Sequence, residues 1–381
     1  MRFRLESKIK RAAITVIVLG PPLNNSGGVG TLFNYAIPNF SSRVLVRFVD
    51  TRGARRNPVF SILNVIEAMF VLTLKKSMNR VDVIHISLGA KGSSYRKTLL
   101  LLFAKKVLKI PTVVQLHSSS FDTFLEASPK LLKNCIVRAL NQADQILVLG
   151  DKWKTYLAQV GCLPEKLKTL QMGVPDLLSH ESSSSFSEAT SDKYKLKLLF
   201  AGAMGERKGL PNLLEALKSP LLRSVFLNVA GSGDLQYWKS LVVRLFIEDR
   251  VKFYGLISEN RVHELLFQSD ALILPSIAEG LPVSVIEGLS ARKIVISTRV
   301  GSLPEFLTDG LNCFFLNDRE PETIVQKLNF ILQEIDSDLL ETVRENGKIL
   351  WKKNFDVTLT TVLLEEIWLN ANNKGWNSFH A

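Results

Sequence analysis

Two doubly wound α/β domains in a single chain are what this sequence predicts, and three observations predict them. The first is length: 381 residues are more than one hydrophobic core usually holds, so two domains are the default. The second is alternation. Val- and Ile-rich runs without strict polar alternation, the mark of strands covered on both faces, recur between stretches of helical apolar spacing. The third is an interruption. Residues 180–192 read His-Glu-Ser-Ser-Ser-Ser-Phe-Ser-Glu-Ala-Thr-Ser-Asp, a polar, Ser-rich linker, and the strand–helix alternation restarts after it. The expected organisation is a first domain over 1–178, a linker over 179–194, a second domain over 195–352 and a helical tail over 353–381 that packs back on the first domain.

In the first half the expected strands are Ile14–Leu19, Val44–Val49, Val81–Ser87, Thr112–His117, Gln145–Leu149 and Lys168–Gln171. Each is a short apolar run bounded by turn-forming or polar residues. Ser128-Pro129 reads as an N-cap followed by proline at the first helical position, opening a helix to about Asn141. Tyr95–Lys109 sets Lys and Arg outside a Leu-rich face, as a helix on a sheet does. In the second half the expected strands are Leu196–Ala201, Val225–Ala230, Val251–Tyr254, Ala271–Pro275, Ile294–Thr298 and Cys313–Leu316, and Asp356–Leu369 has helical spacing.

Composition is that of an ordinary globular protein, 46% hydrophobic and 22% charged. Cys135, Cys162 and Cys313 are scattered, with no CxxC pair and no disulfide framework, which fits a reducing cytoplasm. The basic start precedes an apolar run, Ala12–Leu19, that ends in Gly20-Pro21-Pro22 and reads as a strand, not as a signal peptide. Val59–Leu74 contains Asn64 and Glu67 and is too short and polar to span a bilayer. Charge is uneven: residues 1–178 hold 26 Lys/Arg and 10 Asp/Glu, a net of +16, while the remainder hold 22 and 26, a net of −4. The first half is therefore expected to meet something anionic: a phospholipid surface, a lipid-linked phosphate acceptor or nucleic acid. No nucleic-acid reader motif or aromatic-interleaved basic run is present, so no specific nucleic acid is expected.

Four segments carry chemistry. Asn24-Asn25-Ser26-Gly27-Gly28-Val29-Gly30 follows the first strand; its glycines allow close backbone approach to a ligand, and a helix N-terminus behind them suits an anion. Gly27, Gly28 and Gly30 have the wrong spacing for the dinucleotide fingerprint, and a tight turn without ligand stays open. His117 ends a strand and precedes three serines, where it can donate to a sugar hydroxyl or phosphate. Arg207 and Lys208 lie between Gly205 and Gly209 just before a helix opened by Pro211, a placement that calls for an anion such as a diphosphate, although a solvated basic turn is the alternative. Finally Glu279 and Glu287 bracket seven uncharged residues behind the strand Ala271–Pro275. Gly280 and Pro282 set Glu279 in the strand-to-helix loop and Glu287 about two turns into the helix. Acceptor-only side chains at strand carboxyl ends suit a ligand rich in hydroxyls.

The order of these residues resembles a family. Gly27-Gly28-Val29, His117, Phe200-Ala-Gly with Lys208-Gly209, Ala230-Gly-Ser-Gly233, Tyr254-Gly255, Asp270-Ala-Leu-Ile-Leu-Pro-Ser276, Glu279-Gly-Leu-Pro282, Glu287 and Gly301-Ser-Leu-Pro-Glu305 are similar, over nearly the whole chain, to the group 1 retaining glycosyltransferases of family four. The resemblance implies the GT-B fold: two facing Rossmann-like domains, with a nucleotide diphosphate sugar held mainly by the second. It implies that Lys208 holds the donor diphosphate, Glu287 the ribose hydroxyls, and Glu279 the transferred sugar with the backbone around Gly280, Leu281 and Pro282. Gly27 and Gly28 approach the diphosphate, His117 lies near the sugar, and Gly255 and Leu256 border the base. Where the family often has Gly-Arg this chain has Gly202-Ala203, and Arg207 is the cation placed to replace that arginine.

The function expected is transfer of a sugar to an acceptor hydroxyl with retained anomeric configuration, in polysaccharide, lipopolysaccharide or other lipid-linked glycan synthesis. Lys208, Glu279 and His117 are the expected catalytic residues. No cofactor is expected beyond the donor, and no metal, since no Asp-x-Asp stands at a site position. Expected partners are the nucleotide sugar, a glycan or lipid-linked acceptor and an anionic membrane surface, for a cytoplasmic chain peripheral at the inner face. The alternatives are a non-catalytic sugar-nucleotide-binding subunit and a basic nucleic-acid-binding protein.

Overall fold

The computed structural model describes residues 14–21, 23, 27–51, 58–179 and 193–377; the Ser-rich stretch 180–192, Asn24–Ser26 and the arginines 52, 55 and 56 lie outside the described residues. The chain divides into two compact units, one made of Met1–Gly173 with Val357–Ala381, the other of Val174–Asp356.

The first unit is built on β1 (Ile14–Gly20), β2 (Val44–Asp50), β3 (Val83–Leu88), β4 (Thr112–Leu116), β5 (Gln145–Val148) and β6 (Leu167–Thr169), in the order β2-β1-β3-β4-β5-β6. Every pairing is parallel. Each residue of β3 and β4 is buried, as their near-continuous apolar runs require of strands with helices on both faces. The second unit holds β7 (Leu196–Ala201), β8 (Val225–Ala230), β9 (Val251–Gly255), β10 (Ala271–Leu274), β11 (Ile294–Thr298) and β12 (Phe314–Leu316), again all parallel, in the order β12-β11-β10-β7-β8-β9. Read from β9, this is the doubly wound order 3-2-1-4-5-6. Its direction of winding reverses between β7 and β10; in the first unit the reversal falls between β1 and β3. Ligands of such sheets bind at the strand carboxyl ends where the order reverses. All twelve strands lie where the alternation places them, and the fold is the two-domain GT-B type.

Local corrections have local causes. Pro129 is itself the N-cap of the helix Lys130–Leu140, not its first residue. Ser128 does not cap it; its hydroxyl donates to the Phe124 carbonyl at 2.7 Å, at the end of the preceding helix. The helix over 95–109 is Gly92–Leu102 continued by a π turn at Phe103–Val107.

The final helix, Val357–Asn377, belongs to the first unit. Trp368 is wholly buried there, and its indole N–H donates to His85 Nδ1 on β3 at 3.2 Å. Glu365, also buried, accepts from the Ser41 N–H and from its hydroxyl at 2.8 Å, and pairs with Arg43 at 3.0 Å. A buried carboxylate needs such donors, since unpaired it would cost several kcal/mol.

Candidate functional site

At the reversal point of the second unit, two loops leave neighbouring strands. After β7 the chain runs through Gly202–Gly205 into one 3-10 turn, Glu206–Lys208, and Gly209 then takes a left-handed φ of 75° before the helix Leu210–Ala216. Only glycine fits at 209: a Cβ would lie 1.9 Å from the Pro275 carbonyl oxygen at the end of β10. The second loop, 275–282, leaves β10 and ends at Pro282, which caps the helix Val283–Ser290. The two loops are tied by backbone, the Ile277 N–H donating to the Arg207 carbonyl at 2.8 Å. A third segment closes on them. Gly301, at φ 59°, brings its Cα so close that a Cβ would stand 2.2 Å from the carbonyl oxygens of both Glu279 and Gly280, and the Ser302 N–H donates to the Gly280 carbonyl at 2.9 Å.

This packing assembles a charge cluster. Lys208 Nζ lies 2.7 Å and Arg207 Nη1 3.0 Å from the same oxygen, Oε1 of Glu279. Arg207 also donates to the Ala278 carbonyl at 2.9 Å. Lys208 and Glu279 are both largely shielded from solvent, whereas the Arg207 side chain is 56% exposed. Burial holds the Lys208 ammonium below the usual lysine range; the Glu279 carboxylate opposes that shift and the Arg207 charge adds to it. Gly202 leaves room for Lys208, since a Cβ there would stand 3.3 Å from Lys208 Cε, and Ala203 beside it is exposed.

Glu287 is the fifth residue of its helix, just over one turn in rather than two, because the helix begins at Val283. It is buried, and one oxygen lies 3.5 Å from Nε2 of His263 on the helix Glu259–Phe267. Gly255 ends β9 at φ 72° and accepts from the Gly231 N–H at 2.8 Å; Leu256 follows it, exposed. The hydroxyls of Ser276 and Ser302, both buried, have no hydrogen-bond partner among the described residues. So Arg207 and Lys208 both contact Glu279, and Gly280, Leu281 and Pro282 continue the same loop. Sequence reasoning missed His263, Ser276 and Ser302. The two serines carry a usable signal, lying within or beside the quoted motifs; His263 carries none, its partner being on another helix.

In the first unit, Gly27 precedes the helix Gly28–Ala36 that follows β1. Gly27 has a φ of −117°, which any residue adopts. What the missing side chain leaves is open space, with nothing among the described residues within 4 Å of a Cβ built there. His117 stands just past β4, its N–H donating to the Leu88 carbonyl at 2.9 Å. It shares a sheet face with Gln115 on the same strand and with His85 and Ser87 on β3. Lys97 reaches the Ser87 carbonyl from the helix above. His85 and His117 are both lowered to about 3, the first by burial and then by His117 and Lys97, the second by burial and then by Lys97. Both imidazoles are therefore neutral at neutral pH, and the Nε2 atoms of both lack a partner among the described residues.

Against known proteins, residues 182–349 match the model of the glycosyl transferases group 1. This segment is similar to the domain that defines that family. An uncharacterised glycosyltransferase of Methanocaldococcus jannaschii is 24% identical over 243 residues, covering 60% of this chain and 62% of that protein. The amylovoran biosynthesis glycosyltransferase AmsK of Erwinia amylovora is 24% identical over 287 residues, 72% of this chain and 66% of its own length. The match thus spans less than two thirds of either relative. Among solved structures, HepE of Anabaena in complex with UDP superposes with a TM-score of 0.71 at 16% identity, over 93% of this chain and 99% of that one. All the second-unit site residues named above fall inside the matched segment.

Proposed function

We propose that this chain is a retaining, metal-independent glycosyltransferase of family four that moves a sugar from a nucleotide diphosphate sugar to an acceptor hydroxyl. One observation carries the reading: two cations, Arg207 and Lys208, converge on a shielded carboxylate, Glu279, where the second sheet reverses its order. An entering diphosphate replaces Glu279 as partner of Lys208 and Arg207, and Glu279 turns to the sugar it carries. Glu287 accepts from the ribose hydroxyls. HepE, which shares the fold, is solved with UDP.

In the reaction the acceptor oxygen forms a bond to the anomeric carbon as the bond from that carbon to the phosphate oxygen breaks. Attack comes from the face the leaving group departs, so configuration is kept. The acceptor proton passes to the departing phosphate oxygen, and charge building on the diphosphate is held by Lys208 and Arg207. Glu279 stabilises the oxocarbenium-like sugar without bonding to it. His117, neutral, is the further group in this reading that hydrogen-bonds a sugar hydroxyl.

The acceptor proposed is a glycan or lipid-linked glycan in polysaccharide or lipopolysaccharide synthesis; the relative AmsK is named for amylovoran biosynthesis. The net of +16 over residues 1–178 supports attraction to an anionic membrane from the cytoplasmic side. No helix among the described residues is long and apolar enough to cross a membrane. A thermal-shift panel of nucleotide sugars identifies the donor, because a ligand that binds only the native state raises apparent stability. With that donor, Lys208→Ala is expected to abolish transfer in a folded protein, EDTA to leave the parent's turnover unchanged, and the product to keep the donor's anomeric configuration. Full turnover by Lys208→Ala at limiting donor sinks the diphosphate assignment, and an inverted product sinks the retaining one.

A further inference from the structure

The helix Pro58–Ser77 is apolar on two faces. Val65, Ala68 and Leu72 are buried against the first unit. On the other side Leu63, Ile66, Phe70 and Leu74, with Met78 just past the helix end, leave 41 to 62% of their surfaces in solvent. Their spacing of three and four residues sets them on one side of the helix, with one carboxylate, the exposed Glu67, among them. A surface helix normally turns charge outward, and a contiguous exposed apolar stripe marks a contact with something else. The end of the stripe is basic: Lys75, Lys76 and Arg80 follow one another with no acidic residue among them.

We propose that this helix docks the chain on an anionic phospholipid surface, setting Leu63, Ile66, Phe70 and Leu74 into the acyl boundary while Lys75, Lys76 and Arg80 meet the headgroups. The charge decides the occupant. A second copy seated on the stripe would bring two basic segments together, within a half of the chain that carries a net of +16, whereas anionic headgroups neutralise them. The inference rests on the membrane-facing part of the proposed function and deepens it. Binding has a defined place and an apolar component that salt does not screen, in addition to the general electrostatic attraction.

The test uses the full chain with Phe70→Trp and Phe70→Ser, and vesicles of phosphatidylcholine with and without phosphatidylglycerol. With anionic vesicles, the added indole emission of Phe70→Trp over the parent is expected to shift to the blue and to be quenched by brominated lipid. Phe70→Ser is expected to partition about tenfold more weakly, the loss of roughly one inserted aromatic side chain, and to keep its thermal shift with donor. Salt-sensitive vesicle binding with the substituted indole unshifted and unquenched overturns the docking helix and leaves the membrane reading standing. Absence of any binding to anionic vesicles at low salt overturns both. Self-association of the parent that Phe70→Ser abolishes makes the stripe an interface between copies and overturns the proposal.

Discussion

Acidification should loosen the first unit well before the second, and the cause is the pair His85 and His117. Both imidazoles have folded values lowered from 6.5 to about 3. A group lowered in this way contributes stability that is complete above its unfolded value and is lost as pH falls from there toward the folded one. At about pH 5 each imidazole stands about 1.5 pH units below its unfolded value, so keeping it neutral costs about 2 kcal/mol and the pair about 4 kcal/mol. That is a large share of the stability of a typical domain. Hydrogen exchange read by mass spectrometry resolves the two units in one sample. After correction for intrinsic rates, amides of β3 and β4 are expected to lose about three orders of magnitude of protection between pH 7 and about pH 5, the equivalent of 4 kcal/mol. Amides of β7 and β10 should change far less, and His85→Gln should reduce the pH dependence in the first unit. An equal loss in both units, or imidazole resonances that titrate near 6.5 in the folded chain, would refute the reasoning.

Three further outcomes follow from the contacts. Glu279→Gln removes the counter-charge of Lys208 and is expected to cost about 3 kcal/mol; added inorganic diphosphate should raise its melting temperature more than the parent's, and an equal rise in both would argue against a shared anion site. Gly301→Ala presses a methyl group on the Glu279 and Gly280 carbonyls, so turnover should fall about a hundredfold through displacement of that loop, measured by steady-state kinetics with the identified donor. Trp368→Phe leaves His85 Nδ1 buried without its donor and should destabilise the first unit by about 1–3 kcal/mol. Its donor affinity, by calorimetric titration, should match the parent's.

Much of this was legible because parallel sheets write themselves plainly. A strand covered on both faces is mostly apolar, and β3, β4, β10 and β11 are short, predominantly apolar runs between turns, with buried polar residues such as His85 and Gln115 among them. The cluster of Lys208 and Glu279 was legible as two motifs, each after a core strand; that they meet is a consequence of β7 and β10 being neighbours, which only the strand order reveals. Arg207 shows the limit of reading charge alone. Its sequence position suggested a cation held ready for phosphate, yet it also braces the Ala278 carbonyl and Glu279. The pairs His263–Glu287 and Trp368–His85 were not legible, because each joins residues on separate elements. No local pattern specifies such a meeting; packing does.

The first unit is not continuous in sequence. Its sheet is complete by Thr169, but the tryptophan that caps His85 and the carboxylate that holds Ser41 and Arg43 arrive only with residues 357–377. On a ribosome, the first sheet therefore waits for residues 357–377, which are made after Val174–Asp356, while Val174–Asp356 needs no later segment to form a compact unit. Val174–Asp356 can therefore finish folding before the first unit does, and until residues 357–377 arrive His85 lacks the indole that donates to it.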